Sequence, residues 1–292
     1  MQWRISTATG ILFLKGIFMG LSMALPGISG GTMAFILGIY KKLINEISKF
    51  HISDFKSPKT FFQKYDWLFL IPLLAGSISA LALFVILAPP LITSFQFEFY
   101  SLIFGFILAS LYLPLKEIEK SLKTLILFVC FTVLSFYSFY FTETISLSRE
   151  QVSLFWIFPA GALVALALVV PGLSGSYLLI LLGLYHYILT AFRDLNMFII
   201  GVFIIGAFIG LISMARGMKF FLHRFPSETL SVILGLIVGS LYILWPFSEA
   251  AGGVDFLSSS FSDKISFLLW FSLSFCLTLF ISFLYGKNRI TN

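Results

Sequence analysis

Pro26-Gly27-Ile28-Ser29-Gly30-Gly31-Thr32 and Pro171-Gly172-Leu173-Ser174-Gly175-Ser176 are two helix-breaking turns set in apolar sequence, and each is a copy of the other. A shift of 145 residues superposes them. Pro26, Gly27, Ser29, Gly30, Leu37, Gly38 and Tyr40 return as Pro171, Gly172, Ser174, Gly175, Leu182, Gly183 and Tyr185, seven identities in fifteen positions. At a shift of 130 the match continues: Gly76 and Leu81 answer Gly206 and Leu211, while Ser101, Gly105, Ser110, Leu111 and Tyr112 answer Ser231, Gly235, Ser240, Leu241 and Tyr242. The longer loop after Tyr40 in the first copy accounts for the change of shift. One repeat is therefore a broken segment followed by two spans.

The sequence around the turns belongs in lipid. Of 292 residues, 59% are apolar and 11% charged, with a mean hydropathy of +1.01, too little polar surface to clothe a soluble globule. Uncharged segments Trp67 to Leu87, Phe99 to Leu115, Thr124 to Phe141, Leu154 to Val170, Met197 to Ala215, Leu230 to Phe247 and Ile265 to Tyr285 are predicted helices of about membrane-crossing length. A β-barrel needs alternating polarity, and Met197 to Ala215 is apolar on all faces. The net charge of +6 comes from bases in short loops between apolar runs, so it reports membrane orientation, and no nucleic-acid partner is inferred. Cys130 and Cys276 fall inside apolar runs without a Cys or His at ligand spacing; they are expected to be packing residues, and no metal or cofactor is expected. The run Ile11 to Leu25 is like a signal-peptide core, but its continuation is duplicated later in the chain, so it is expected to stay in the mature protein.

Arms of about 15 helical residues reach only about 22 Å, short of a hydrocarbon core about 30 Å thick. Each broken segment is therefore expected to dip in, turn at Pro-Gly and return. That re-entrant topology puts 16 of the 19 bases on the side of the N-terminus and leaves Arg149, Arg193 and Lys264 opposite. A single crossing at each broken segment would divide them 11 to 8, which the positive-inside rule disfavours. Both termini are then cytoplasmic. The expected fold is an all-α polytopic membrane protein of two inverted repeats, each a re-entrant broken-helix hairpin followed by transmembrane helices. It forms one membrane domain over 1–292: repeat 1 at 11–115, a linking helix at 122–142, repeat 2 at 154–247 and a C-terminal helix at 265–285.

Two such hairpins of opposite orientation bring their turns together near the midplane, where transporters of this architecture bind substrate. The free N-H groups and hydroxyls at Ser29, Gly30, Gly31 and Thr32, and at Ser174, Gly175, Ser176 and Tyr177, then suit an anion, above all a phosphate. A single motif of this kind would be read as small residues easing helix packing; two copies at matching places favour a site. The spacings Gly206 to Gly210 and Gly235 to Gly239 remain packing signals. A helix end is worth only about 0.3 to 2 kcal/mol to an anion, so a cation is wanted as well. Arg216 and Lys219 are candidates, and Arg193 is a topology anchor. With no Asp or Glu in the apolar core of a span, coupling to protons or sodium would have to use end residues such as Glu46, Glu98 or Asp194. His186 and His223 are interfacial by position.

Lys15-Gly16 through Leu25-Pro26-Gly27-Ile28-Ser29-Gly30-Gly31-Thr32, then Leu37-Gly38-Ile39-Tyr40, resembles the bacterial polyprenyl-phosphate transporter family. The second turn with Leu182-Gly183-Leu184-Tyr185, and Gly239-Ser240-Leu241 with Leu244-Trp245-Pro246, match it as well, so the likeness covers nearly the whole chain. The resemblance implies flipping of undecaprenyl phosphate, the carrier lipid of cell-wall synthesis, from the outer to the inner leaflet of the cytoplasmic membrane. Members often carry Asn or Asp three residues before the first Pro, where this chain has Met23, and a basic residue near Tyr242. The rival class is a polyprenyl-diphosphate phosphatase, whose similar turns carry Arg after the Ser; here Gly30 and Gly175 stand there, and intramembrane Glu is absent. A small-anion transporter would use the same turns.

Overall fold

A computed structural model describes residues 2–23, 29–144, 154–248 and 256–290. Pro26, Gly27 and Ile28 of the first turn lie outside these, as does Arg149. The described chain is all helical. The helices are α1 (Gln2–Met23), α2 (Gly30–Ile36), α3 (Tyr40–Ser48), α4 (Pro58–Lys64), α5 (Trp67–Ser94), α6 (Gln96–Ser110), α7 (Tyr112–Glu117), α8 (Leu122–Thr144), α9 (Leu154–Val169), α10 (Gly175–Leu181), α11 (Tyr185–Arg193), α12 (Met197–Arg224), α13 (Pro226–Ser240) and α14 (Phe261–Ile290). Among the described residues six spans are long and apolar enough to cross a membrane, in α5, α6 continued through α7, α8, α12, α13 continued to Leu244, and α14, and the bent pair α10–α11 would make a seventh. Their outer faces carry exposed apolar side chains such as Leu68, Ile78, Ile205 and Leu269, as lipid contact requires.

The returning arms are shorter than the sequence predicts. Met33 to Tyr40 is uncharged and reads as one arm; α2 instead stops at Ile36, Gly38 takes φ 71°, and α3 starts afresh at Tyr40. The second copy does the same, with φ 69° at Gly183 and an angle of 117° between α10 and α11. Glycine tolerates that left-handed turn, and the amides after each break bond back to the helix just ended: Gly38 N to Phe35 O, and Gly183 N to Ile180 O. A seven-residue helix rises only about 10 Å, so neither α2 nor α10 crosses a bilayer.

The chain divides into two compact units, residues 1–85 with 142–224 and residues 86–141 with 225–292, so each unit draws on both copies. In the first, α9 and α12 pack closely against each other. Small residues set this contact: Gly161 lies against the Phe203 carbonyl, Gly206 against that of Phe158, and Gly210 against Ala162. The α1–α5 contact repeats this in detail, Gly16 lying against the Leu73 carbonyl and Gly76 against that of Phe13. These are the same positions at shifts of 145 and 130. Gly206 and Gly210 are thus packing residues, as expected.

In the second unit, Gly105 of α6 lies against Phe271 and Ser274 of α14. Its counterpart Gly235 of α13 lies against Phe128 of α8, and Gly239 lies against Thr132 and Ser135. The Ser135 hydroxyl closes this contact, donating to the Leu236 carbonyl at 2.9 Å. Thus α8, expected to be a linker, and α14, expected to be an appended C-terminal helix, take matching places against matching glycines. Cys130 and Cys276 do not serve as core packing; both thiols are exposed on these two helices.

Candidate functional site

The two turns meet in the first unit. Ser29 is extended (φ −113°, ψ 156°) and N-caps α2, its Oγ accepting the Thr32 N-H at 3.2 Å. The Ser29 and Thr32 hydroxyls are 3.0 Å apart, and Thr32 Oγ1 also accepts the Gly172 N-H of the other turn at 2.9 Å. Thr32 therefore joins the copies directly, and both hydroxyls are buried. Gly172 presents its N-H from φ 87°, a conformation that a side chain strains.

Close backbone approach completes the junction. A Cβ on Gly31 would stand 2.6 Å from the Leu168 carbonyl oxygen at the end of α9, and Tyr40 donates to the next carbonyl, Val169, at 2.8 Å. Gly30 packs on Met19 and Met23 of α1, and Gly175 on Val164 of α9. Both turns are thereby fixed to the helices that precede them.

The copies differ in how their second arms begin. Ser174 precedes α10 in an extended conformation but makes no capping bond; its hydroxyl pairs with that of Ser176 at 3.0 Å instead. The first-turn N-H groups of α10 lack the side-chain acceptor that α2 has. Ser174 and Tyr177 are buried, while Ser176 is exposed. Among the described residues the second turn is thus the more exposed of the two, with hydroxyls beside a helix start that Ser174 does not cap.

Arg216 stands apart from this cluster. Its guanidinium donates to the carbonyls of Ser48 and Phe50, at 3.3 and 2.6 Å, and approaches His51 Nδ1 at 3.3 Å. It caps the carboxyl end of α3, where a cation meets the negative end of the helix dipole, and none of these partners lies in a turn. Glu46 is buried against Lys49 and accepts the Asp66 N-H, and Asp194 and His186 line a cavity of about 370 Å³ with Thr190 and Asn196. Near α3, hydrogen bonds from Lys64 and then Tyr65 hold the Asp54 carboxyl down to about 2, and Lys42 lowers that of Asp66. The residue that the sequence reading passed over is Lys15 of α1, whose Nζ donates to the Leu37 carbonyl at 2.8 Å. Its signal was available: it is a lone charge in an apolar run.

A multi-pass helical membrane protein with two linked Pro-Gly-x-Ser-Gly turns is the class that fold and site define. The chain belongs to the family described as Undecaprenyl phosphate translocase-like, which matches residues 19–259. It is 31% identical over 242 residues to a polyprenyl-phosphate transporter of Vibrio cholerae, covering 81% of this chain and 78% of that one. It is 29% identical over 255 residues to a polyprenyl-phosphate transporter of Staphylococcus aureus, covering 81% of this chain and 86% of that one. No solved structure matches.

Proposed function

We propose that this protein carries a polyprenyl phosphate, undecaprenyl phosphate foremost, from the outer to the inner leaflet of the bacterial cytoplasmic membrane without cleaving it. The observation that carries this reading is the junction of the two turns at Thr32 and Gly172 in a chain of this family. Hydroxyls and amide donors converge there from both copies, and these are the groups that a phosphate monoester accepts from.

In this reading the headgroup binds at Ser29, Gly30, Gly31, Thr32, Ser174, Gly175, Ser176 and Tyr177, while the isoprenoid tail stays in lipid. The second turn receives it first, because Ser176 is exposed there and no Ser174 cap on α10 has to be displaced. The two copies are inverted repeats with re-entrant broken segments. Each extends to a third span, α8 in one and α14 in the other, as their matching contacts with Gly105 and Gly235 support. The excess of bases on one side, 16 of 19, supports cytoplasmic termini. Arg216, already engaged at the end of α3, is not retained as the headgroup's cation.

The test is movement of labelled undecaprenyl phosphate in sealed vesicles holding purified protein, with free phosphate assayed in parallel. Movement without phosphate release, reduced at least tenfold in a Ser29→Ala, Ser174→Ala double variant, is the expected result. No movement by the wild type, or phosphate release from the diphosphate lipid, would contradict it and favour a small-anion pathway or an enzyme.

A further inference from the structure

Both broken segments are uncharged except at one position. Between Ile11 and Tyr40 the only charged residue is Lys15, and between Leu154 and Phe192 there is none. Lys15 is half-buried in α1, and its Nζ donates at 2.8 Å to the carbonyl of Leu37, the residue that ends α2. An ammonium in an apolar run is costly.

The plain explanation is that Lys15 pins the end of α2. The second copy argues against it. There the equivalent position is Ala160, fully buried, and α10 closes without any cation. The closing bonds are the same in both copies: Gly38 N to Phe35 O and Ile39 N to Ala34 O in one, Gly183 N to Ile180 O and Leu184 N to Leu179 O in the other. The architecture therefore forms without the charge.

We propose that Lys15 is the cation that takes up the phosphate monoester headgroup once it has passed the turns. The inference rests on the transport reading above. The turns supply hydroxyls and amides but no positive charge, whereas Lys15 bonds the end of α2, five residues or about 7.5 Å of helix rise beyond Thr32, toward the side of the N-terminus. A phosphate oxygen arriving there replaces the Leu37 carbonyl as acceptor, exchanging a bond to a neutral oxygen for an ion pair. One cation in one copy also gives the pathway a polarity that the paired turns lack.

The test compares, in detergent-solubilised protein, the affinity for undecaprenyl phosphate with that for undecaprenol, which has the tail and no phosphate. Lys15→Met is expected to lower the ratio of the two affinities at least tenfold, with undecaprenol binding unchanged, and Lys15→Arg to restore it. A ratio unchanged in Lys15→Met, or loss of both lipids alike, would overturn the assignment in favour of the structural pin. Should Lys15→Met not fold, Lys15→Gln, which keeps a polar side chain, is put to the same ratio. A wild type that does not prefer the phosphate lipid would instead sink the transport reading itself. Displacement of the bound lipid by equimolar inorganic phosphate would overturn the lipid headgroup as Lys15's ligand and assign it a free anion.

Discussion

Thr32 Oγ1 accepts the Gly172 N-H in a buried place, so loss of that oxygen leaves a donor without a partner. Thr32→Val is expected to lower stability by about 1–3 kcal/mol, and Thr32→Ser to change it little, as thermal unfolding in detergent would measure. Gly172→Ala forces a side chain into φ 87° and is expected to be destabilising by roughly 1–2 kcal/mol in the same assay. The sequence named all of these turn residues because helix breakers in apolar runs announce themselves. It did not say that Thr32 of one turn faces Gly172 of the other, since that contact is made by a backbone amide 140 residues away. Arg216 was misplaced for a related reason: its partners at Ser48 and Phe50 are carbonyls, which carry no side-chain signature.

Glycine seams set how the helices meet. In α12, Gly206 abuts the Phe158 carbonyl, whereas Gly201 has open space around it. Gly206→Ala is therefore expected to weaken the α9–α12 contact and lower the unfolding temperature, and Gly201→Ala to be neutral or slightly stabilising. The segment after α3 is held differently, by Asp54, which accepts from Lys64 Nζ at 2.7 Å and Tyr65 Oη at 2.6 Å. Its carboxyl is depressed in the fold to about 2, so its stabilising effect is present above the ordinary value near 4 and is lost as pH falls through about 2. Amide protection across residues 51–65, taken relative to the intrinsic exchange rate at each pH, is expected to hold from pH 7 to about 4 and to fall below that, with Asp54→Asn weakly protected throughout. The long spans were legible from hydropathy alone. The breaks at Gly38 and Gly183 were not, because the apolar pattern runs on through the turns.

Across the whole molecule, sequence order and spatial grouping part company. The repeat is plain in the sequence, yet both compact units mix the copies: Tyr40 donates to Val169 in one, and Ser135 to Leu236 in the other. Rocking one copy against the other, the motion that the repeat first brings to mind, would break both bonds, along with those of Thr32 and Arg216. Any rigid-body step of transport is more simply a movement that keeps each unit intact. For the topology, cysteines placed at Lys56 and Lys120 of a cysteine-free variant are expected to react only from the cytoplasmic side and one at Lys264 only from outside; the opposite pattern would reverse the orientation.

The central claim, that the joined turns hold the headgroup of a lipid phosphate, is tested most directly by photocrosslinking. An undecaprenyl phosphate analogue with its photoreactive group beside the phosphate would be activated in the wild-type protein and the labelled peptides sequenced. Labels within residues 29–32 and 171–177, competed away by undecaprenyl phosphate and not by undecaprenol, are the predicted result. Labels confined to the outer faces of α8 or α14, or insensitive to that competitor, would contradict it.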